Sequence, residues 1–246
     1  MKPEFNFVEY KKTDLKGYTL IEGFPGMGLV GTIAAKYLVE KQDFDYIGHI
    51  DSNVFMPIIR IHKGLPVRPA RIYANKKLKL AVLISEQVIG KQYTNTVARA
   101  TVDWIKAKGF KELISLSGVR ASPGTPQNTI YGIAANQESK ELLKKYGLDE
   151  IEEGITTGIT ALILLELRTA DIKAISILGN VQVAADYKAA AEVLKKFDKM
   201  HQLNLNVEPL LNEARETEKQ LIQQLQALKE TKDSSEKFEN ETPLIT

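Results

Sequence analysis

The sequence predicts an α/β domain built on a mixed sheet, and three observations carry that prediction. Strand and helix patterns alternate at both ends of the region 18–203. Between those ends, three strand patterns (56–62, 69–75 and 79–85) follow one another with no helix between them. The 246 residues are 43% hydrophobic and 26% charged, which suits one large core that needs no disulfide or metal staple. Alternation implies parallel strands joined by crossover helices. Consecutive short strands joined by turns imply antiparallel pairing.

Each element has its own warrant. Residues 18–22, Tyr-Thr-Leu-Ile-Glu, read as a strand ending at Gly23. From Met27 to about Glu40, Leu29, Ile33, Lys36 and Tyr37 fall near one helical face, as do Val30, Ala34 and Leu38. Residues 45–51 form a second strand. The three consecutive strands come next, the last two joined by a tight turn at Asn75-Lys76-Lys77. Residues 92–108 look helical, with Val97, Thr101, Trp104 and Ile105 at helical spacing. Residues 113–117 are a buried strand, followed by a loop of turn formers over 118–128. A strand over 129–135 leads to a short helix over 137–147 closed by Gly147, and 150–153 reads as a brief strand. The almost wholly apolar stretch 158–170 predicts a buried helix. Residues 173–179 form a core strand, and 186–203 an amphipathic helix with Asp186 at its positive N-terminal end.

Beyond Asn206 the composition changes, dividing the chain into an α/β domain (1–206), a long C-terminal helix (207–232) and a flexible tail (233–246). From Glu208 to Lys232 there is no glycine, and the single proline, Pro209, stands near the start where a helix tolerates it. Val207, Leu211, Ala214, Leu221, Leu225 and Leu228 recur at spacings that suit a narrow seam, interrupted at Glu218. Leu211, Leu221, Leu225 and Leu228 are therefore candidate contacts between copies of the chain.

Composition also removes function classes. With no cysteine, thiol catalysis, iron–sulfur ligation and disulfides are excluded. His49, His62 and His201 share no metal-ligand spacing, so no metal site is expected. A net charge of +2 gives no pull toward nucleic acid. No run reaches the length of a membrane span, and the N-terminal residues lack the apolar core of a signal peptide. A cytoplasmic location is the expectation.

One segment raises an enzymatic question. Gly26-x-Gly28-x-x-Gly31 matches a dinucleotide-binding fingerprint, with Asp51 twenty residues beyond the last glycine. A strand leading through glycines into a helix presents N–H groups to an anion. In the alternative use, Gly23 and Gly26 permit a tight turn, Pro25 stiffens it, and Gly28 and Gly31 allow close packing on the sheet. The antiparallel strands after Asp51 depart from a dinucleotide fold. Gly26, Gly28, Gly31 and Arg120 are accordingly marked as a structural loop or a vestigial anion site.

Other loops that follow strands should meet this one at the carboxyl edge of the sheet, bringing Glu86, Gln87, Lys91, Arg120, Thr125 and Asn180. Glu86 has the chemistry of a base and Arg120 that of a phosphate or carboxylate clamp. The other reading of all six is capping, loop hydrogen bonding or subunit contact. No nucleophile and base stand together, and Ser122 lies in Ser-Pro-Gly rather than in a nucleophile elbow. At the far end, Leu244 and Ile245 next to Thr246 make an apolar terminus able to enter a partner's pocket.

Four blocks, "GFPGMGLVGTIAAKYLVE", "IGHIDSNVFMPIIRIHKG", "LISLSGVRA" and "GNVQVAADYKAAAEVL", together resemble archaeal members of the proteasome assembly chaperone family, with Pba-type proteins the nearest comparison. The likeness runs from about Tyr18 to Phe197, and the first block is its most specific part. It implies a three-layer α/β sandwich related to the purine nucleoside phosphorylase fold. It further implies a homo-oligomeric, ATP-independent scaffold that binds proteasome α subunits or a related protein partner, with no catalytic residues, cofactor or metal. One departure stands out: proteins that dock in α-ring pockets often carry a tyrosine next to the last residue, whereas this sequence ends Leu244-Ile245-Thr246. The alternative function is a nucleoside- or phosphometabolite-binding enzyme or sensor that uses the loops at the carboxyl edge.

Overall fold

Strands that are apolar on both sides set the architecture. In the computed structural model, which describes residues 3–87, 89–213 and 216, β2 (Thr19–Gly23) and β7 (Leu80–Ser85) are buried at every position. β11 (Lys173–Asn180) is buried at all but its first residue. Such strands need cover on both faces. With β8 (Glu112–Val119) they form a parallel centre in the order β7-β2-β8-β11. Ile21, Val82, Ile84, Ile114 and Ile175 belong to one core, with α1 (Val30–Lys41), α3 (Gln137–Tyr146) and α5 (Tyr187–His201). Leu20, Leu83, Leu113 and Ala174 belong to the other, with α2 (Thr94–Lys108) and α4 (Ile159–Glu166). The alternation of Leu20 and Ile21 between the two cores is the period-2 signature of a strand, and the result is helix, sheet, helix.

The flanks are antiparallel. β6 (Ala70–Asn75) pairs with β7, and β3 (Asp45–Ser52) pairs with β6. At the other side β9 (Ile130–Ala134) runs antiparallel to β11, and the two-residue β10 (Asp149–Glu150) runs parallel to β9. The nine-stranded sheet is therefore mixed, as expected.

Four local differences from the sequence reading have physical causes. An additional strand, β1 (Phe5–Glu9), pairs antiparallel with β3. It is anchored by Phe7, whose ring stacks on Trp104 at 4.7 Å. With β1 and β6 on its two edges, β3 leaves no edge for residues 56–62. That stretch contributes only β4 (Arg60–His62), which pairs with β5 (Leu65–Val67) in a separate hairpin. The expected helix from Met27 begins only at Val30, after a single 3-10 turn. The apolar stretch 158–170 yields the eight-residue α4, whose Leu165 is 61% exposed, so this helix is covered on one side only.

After α5 the chain returns to the core. The Tyr37 hydroxyl donates to the Asn206 carbonyl at 2.6 Å. Residues 208–213 are helical, with Val207 and Leu210 buried in the α1–α5 core and Leu211 packed against it. Leu221, Leu225, Leu228, Leu244, Ile245 and Thr246 lie outside the described residues, as do most of the expected 207–232 helix and all of the expected tail.

Candidate functional site

The glycine loop is filled by protein. Gly28 has φ +64, and Leu29 follows at φ 51, two consecutive left-handed residues that delay the start of α1. A Cβ on Gly28 would lie 2.7 Å from Val181 Cγ1 and 3.3 Å from Asp186 Cβ. One on Gly31 would lie 2.2 Å from the Leu116 carbonyl oxygen, in direct collision with β8. Gly26 is less confined, with Ser117 Oγ 3.7 Å from its Cβ position. The close-packing use of these glycines thus has a contact for Gly28 and Gly31.

The electrostatics beside the loop oppose an anion. Asp186 is 1% exposed, and its N–H donates to the Gly28 carbonyl at 2.8 Å. Its carboxylate accepts from the N–H groups of Gln182 and Ala189, both at 2.9 Å, and from Gln127 Nε2 at 3.3 Å. A phosphate at Gly28 would therefore face a buried carboxylate at close quarters. Asp51 also departs from a ribose-binding position. β6 and β7 separate its strand from β2, and its carboxylate pairs with Arg68 at 3.2 Å.

The other carboxyl-edge candidates divide into two groups. Asn180 is a loop staple: its Nδ2 donates to the carbonyls of Thr125 and Pro126, each at 3.1 Å, and its Oδ1 accepts from Ala121 N–H at 3.3 Å. Arg120 and Lys91 are exposed. Gln87, 1% exposed, donates from Nε2 to the Met56 carbonyl at 2.8 Å and so ties down the segment leading to β4. Glu86 sits in a different place, between two arginines. It bonds to Arg60, and Arg71 Nη2 approaches its Oε2 at 3.1 Å.

Those arginines help line a cleft of about 510 Å³ between α1, the β4–β5 hairpin and the β6–β7 face of the sheet. Lys36, Arg60, Lys63 and Arg71 bring positive charge to it, and Glu40 negative charge. Val39, Phe44, Val67 and Ile84 supply apolar wall. Arg71 is 4% exposed; its Nη1 donates to the Arg68 carbonyl at 2.9 Å, but its Nε has no hydrogen-bond partner among the described residues. The cleft draws on five elements between residues 36 and 84, so no local pattern announces it.

Sequence reasoning also passed over Glu22, which is 0% exposed at the end of β2. Its carboxyl accepts from Phe24 N–H at 2.7 Å, Ser115 Oγ at 2.5 Å and Thr160 Oγ1 at 3.0 Å. Burial pushes its pKa up, against the opposing pull of these hydrogen bonds. Its signal was one acidic residue in an otherwise apolar central strand.

A third feature is apolar and outward-facing. Met56, Ile58, Ile59, Ile61 and Leu65 are between 42% and 69% exposed, all within the ten residues that lead into and begin the β4–β5 hairpin. Among the described residues no group of three or more His, Asp or Glu side chains is placed to hold a metal ion, and no helix is long and apolar enough to cross a membrane.

Comparison with known proteins places this arrangement. The model of the PAC2 family matches residues 20–225. The chain is 32% identical to the uncharacterized protein MJ0106 of Methanocaldococcus jannaschii over 222 residues, covering 90% of this chain and 91% of that one. Among solved structures it is similar to Pyrococcus furiosus PbaA, described as an archaeal homolog of proteasome-assembly chaperone. The TM-score there is 0.82 at 31% identity, over 96% of this chain and 97% of that one. P. furiosus PbaB, described as an archaeal proteasome activator, shares the fold with a TM-score of 0.77 at 23% identity, over 89% of this chain and 98% of that one. The chain belongs to the PAC2 family.

Proposed function

We propose that this PAC2-family chain is an ATP-independent assembly chaperone or scaffold of the cytoplasm, which self-associates and binds proteasome α subunits or a related protein partner. The observation that carries this reading is the exposed apolar excursion over 56–65. Five large apolar side chains within ten residues are a liability for a protein with no partner and an asset for one that docks. Each Å² of apolar surface that a partner covers contributes about 25 cal/mol, before the costs of association. The polar groups at the carboxyl edge point the same way. Asn180, Gln87 and the Asp186 carboxylate are spent on internal bonds that hold loops in place, and Arg120 stands exposed with no nucleophile or base identified beside it. The description of PbaA as a proteasome-assembly chaperone homolog supports the partner class.

Light scattering on the full chain tests self-association. The double variant Ile59→Glu with Ile61→Glu should lower the mass of the assembly or its capture of α subunits, and a monomeric wild-type protein would count against the self-association part. Heating the same protein with nucleotides, nucleosides or phosphate tests the metabolite-binding alternative. A ligand at 100 times its Kd should stabilise the fold by about 2.7 kcal/mol, and no shift is expected.

A further inference from the structure

We propose that the cleft beneath the β4–β5 hairpin is a docking site for an acidic, aromatic-bearing peptide, and that its occupant is this chain's own segment 236–241, Glu-Lys-Phe-Glu-Asn-Glu. The inference does not depend on which partner the scaffold serves. Charge in the cleft is unbalanced. Four cations, Lys36, Arg60, Lys63 and Arg71, face two carboxylates, Glu40 and Glu86. One of the cations, Arg71, is 4% exposed and keeps an Nε donor without an acceptor among the described residues. A buried donor left unsatisfied is costly, so an acceptor that reaches it gains. The apolar walls, Val39, Phe44, Val67 and Ile84, reward a ligand that also carries a hydrophobic group.

The C-terminal sequence supplies the complement. Residues 233–242 hold Asp233, Glu236, Glu239 and Glu241 against one cation, Lys237, and place Phe238 in their midst. The chain also returns to α1, the helix that forms one wall of the cleft. The Tyr37 hydroxyl on α1 donates to the Asn206 carbonyl, and burial first, then the Glu213 charge, push the pKa of this phenol up. Nineteen residues separate Glu216 from Glu236. They reach about 30 Å if wholly helical and more than twice that if extended, whereas α1 itself is only about 18 Å long. Occupation would set the acidic segment against the hairpin whose other side carries Ile59 and Ile61, so docking and partner capture would influence each other.

The absence of native cysteine makes the test direct. In the full chain, His62→Cys is combined with Asn240→Cys, which leaves every charge counted above in place. The control combines Asp103→Cys, exposed on α2 across the sheet, with Asn240→Cys. A disulfide needs the two Cα atoms within about 7 Å. Under mild oxidation of dilute protein, the His62 pair should form an intrachain bond at least about tenfold faster than the control pair. Adding Phe238→Ala with Glu239→Lys should return the rate to that of the control. Equal rates for the two pairs would overturn the proposal, as would cross-links that form only between chains, which would assign the cleft to the tail of a second copy.

Discussion

Gly31 is where one atom decides most. Its Cβ position lies 2.2 Å from the Leu116 carbonyl of β8, a backbone atom that cannot swing away. Gly31→Ala should therefore destabilise the fold by about 2–4 kcal/mol, read as a lower denaturant midpoint. Stability near wild type would show that the junction of β2 and α1 is looser than the contacts imply. A buried and a half-buried titratable group, Glu22 and His201, set opposite pH slopes. Burial raises the Glu22 pKa above its ordinary 4.5, so the folded state holds that proton more tightly than the unfolded chain does. Its contribution is fully present below pH 4.5 and is lost as pH rises through the raised value. His201 is the reverse. Burial first, then the Lys111 and Lys145 charges, lower its pKa from 6.5 to about 4. Its contribution is present above pH 6.5 and is lost as pH falls toward 4. In unfolding titrations from pH 3.5 to 8, Glu22→Gln should flatten the loss above pH 4.5 and His201→Leu the loss below 6.5. Parallel curves for variant and wild type would contradict the assignment.

At the scale of elements, the β4–β5 hairpin is separable from the core. Ile59 and Ile61 are 68% and 69% exposed, so Ile59→Glu with Ile61→Glu should change stability by no more than about 0.5 kcal/mol per site, while any assembly through this face weakens. A large fall in melting temperature instead would place those side chains in the fold rather than on a docking surface. This hairpin also marks the limit of what the sequence made legible. The buried strands β7 and β11 declared themselves through mainly apolar runs, β2 through its short run ending at Gly23, and α5 through its periodicity and its cap, Asp186. Residues 56–62 carried a strand pattern too, but a pattern cannot tell whether a neighbour has a free edge, and β1 and β6 had already taken both edges of β3. β1 was missed because five residues amid charged ones are too short to stand out. At the glycine loop, Gly28 and Gly31 meet the close contacts that a tight junction needs, yet the second left-handed residue, Leu29, lacks the usual glycine signal. Glu22 and the basic cleft were illegible because each gains its meaning from residues distant in the chain.

For the whole molecule, the parallel centre and antiparallel flank explain why a dinucleotide-like glycine motif stands in a PAC2-family protein. The motif belongs to a strand-to-helix junction, and Asp186 occupies the position beside it where an anion would need positive surroundings. The working surfaces in this account are external: the apolar hairpin and the cleft beneath it. The most direct measurement is the binding of the full-length chain to purified proteasome α subunits, with the Ile59→Glu, Ile61→Glu variant as its pair. The account predicts saturable binding by the wild type and at least tenfold weaker binding by the variant, with no requirement for ATP. Absence of binding by the wild type, or equal binding by the two proteins, would contradict it.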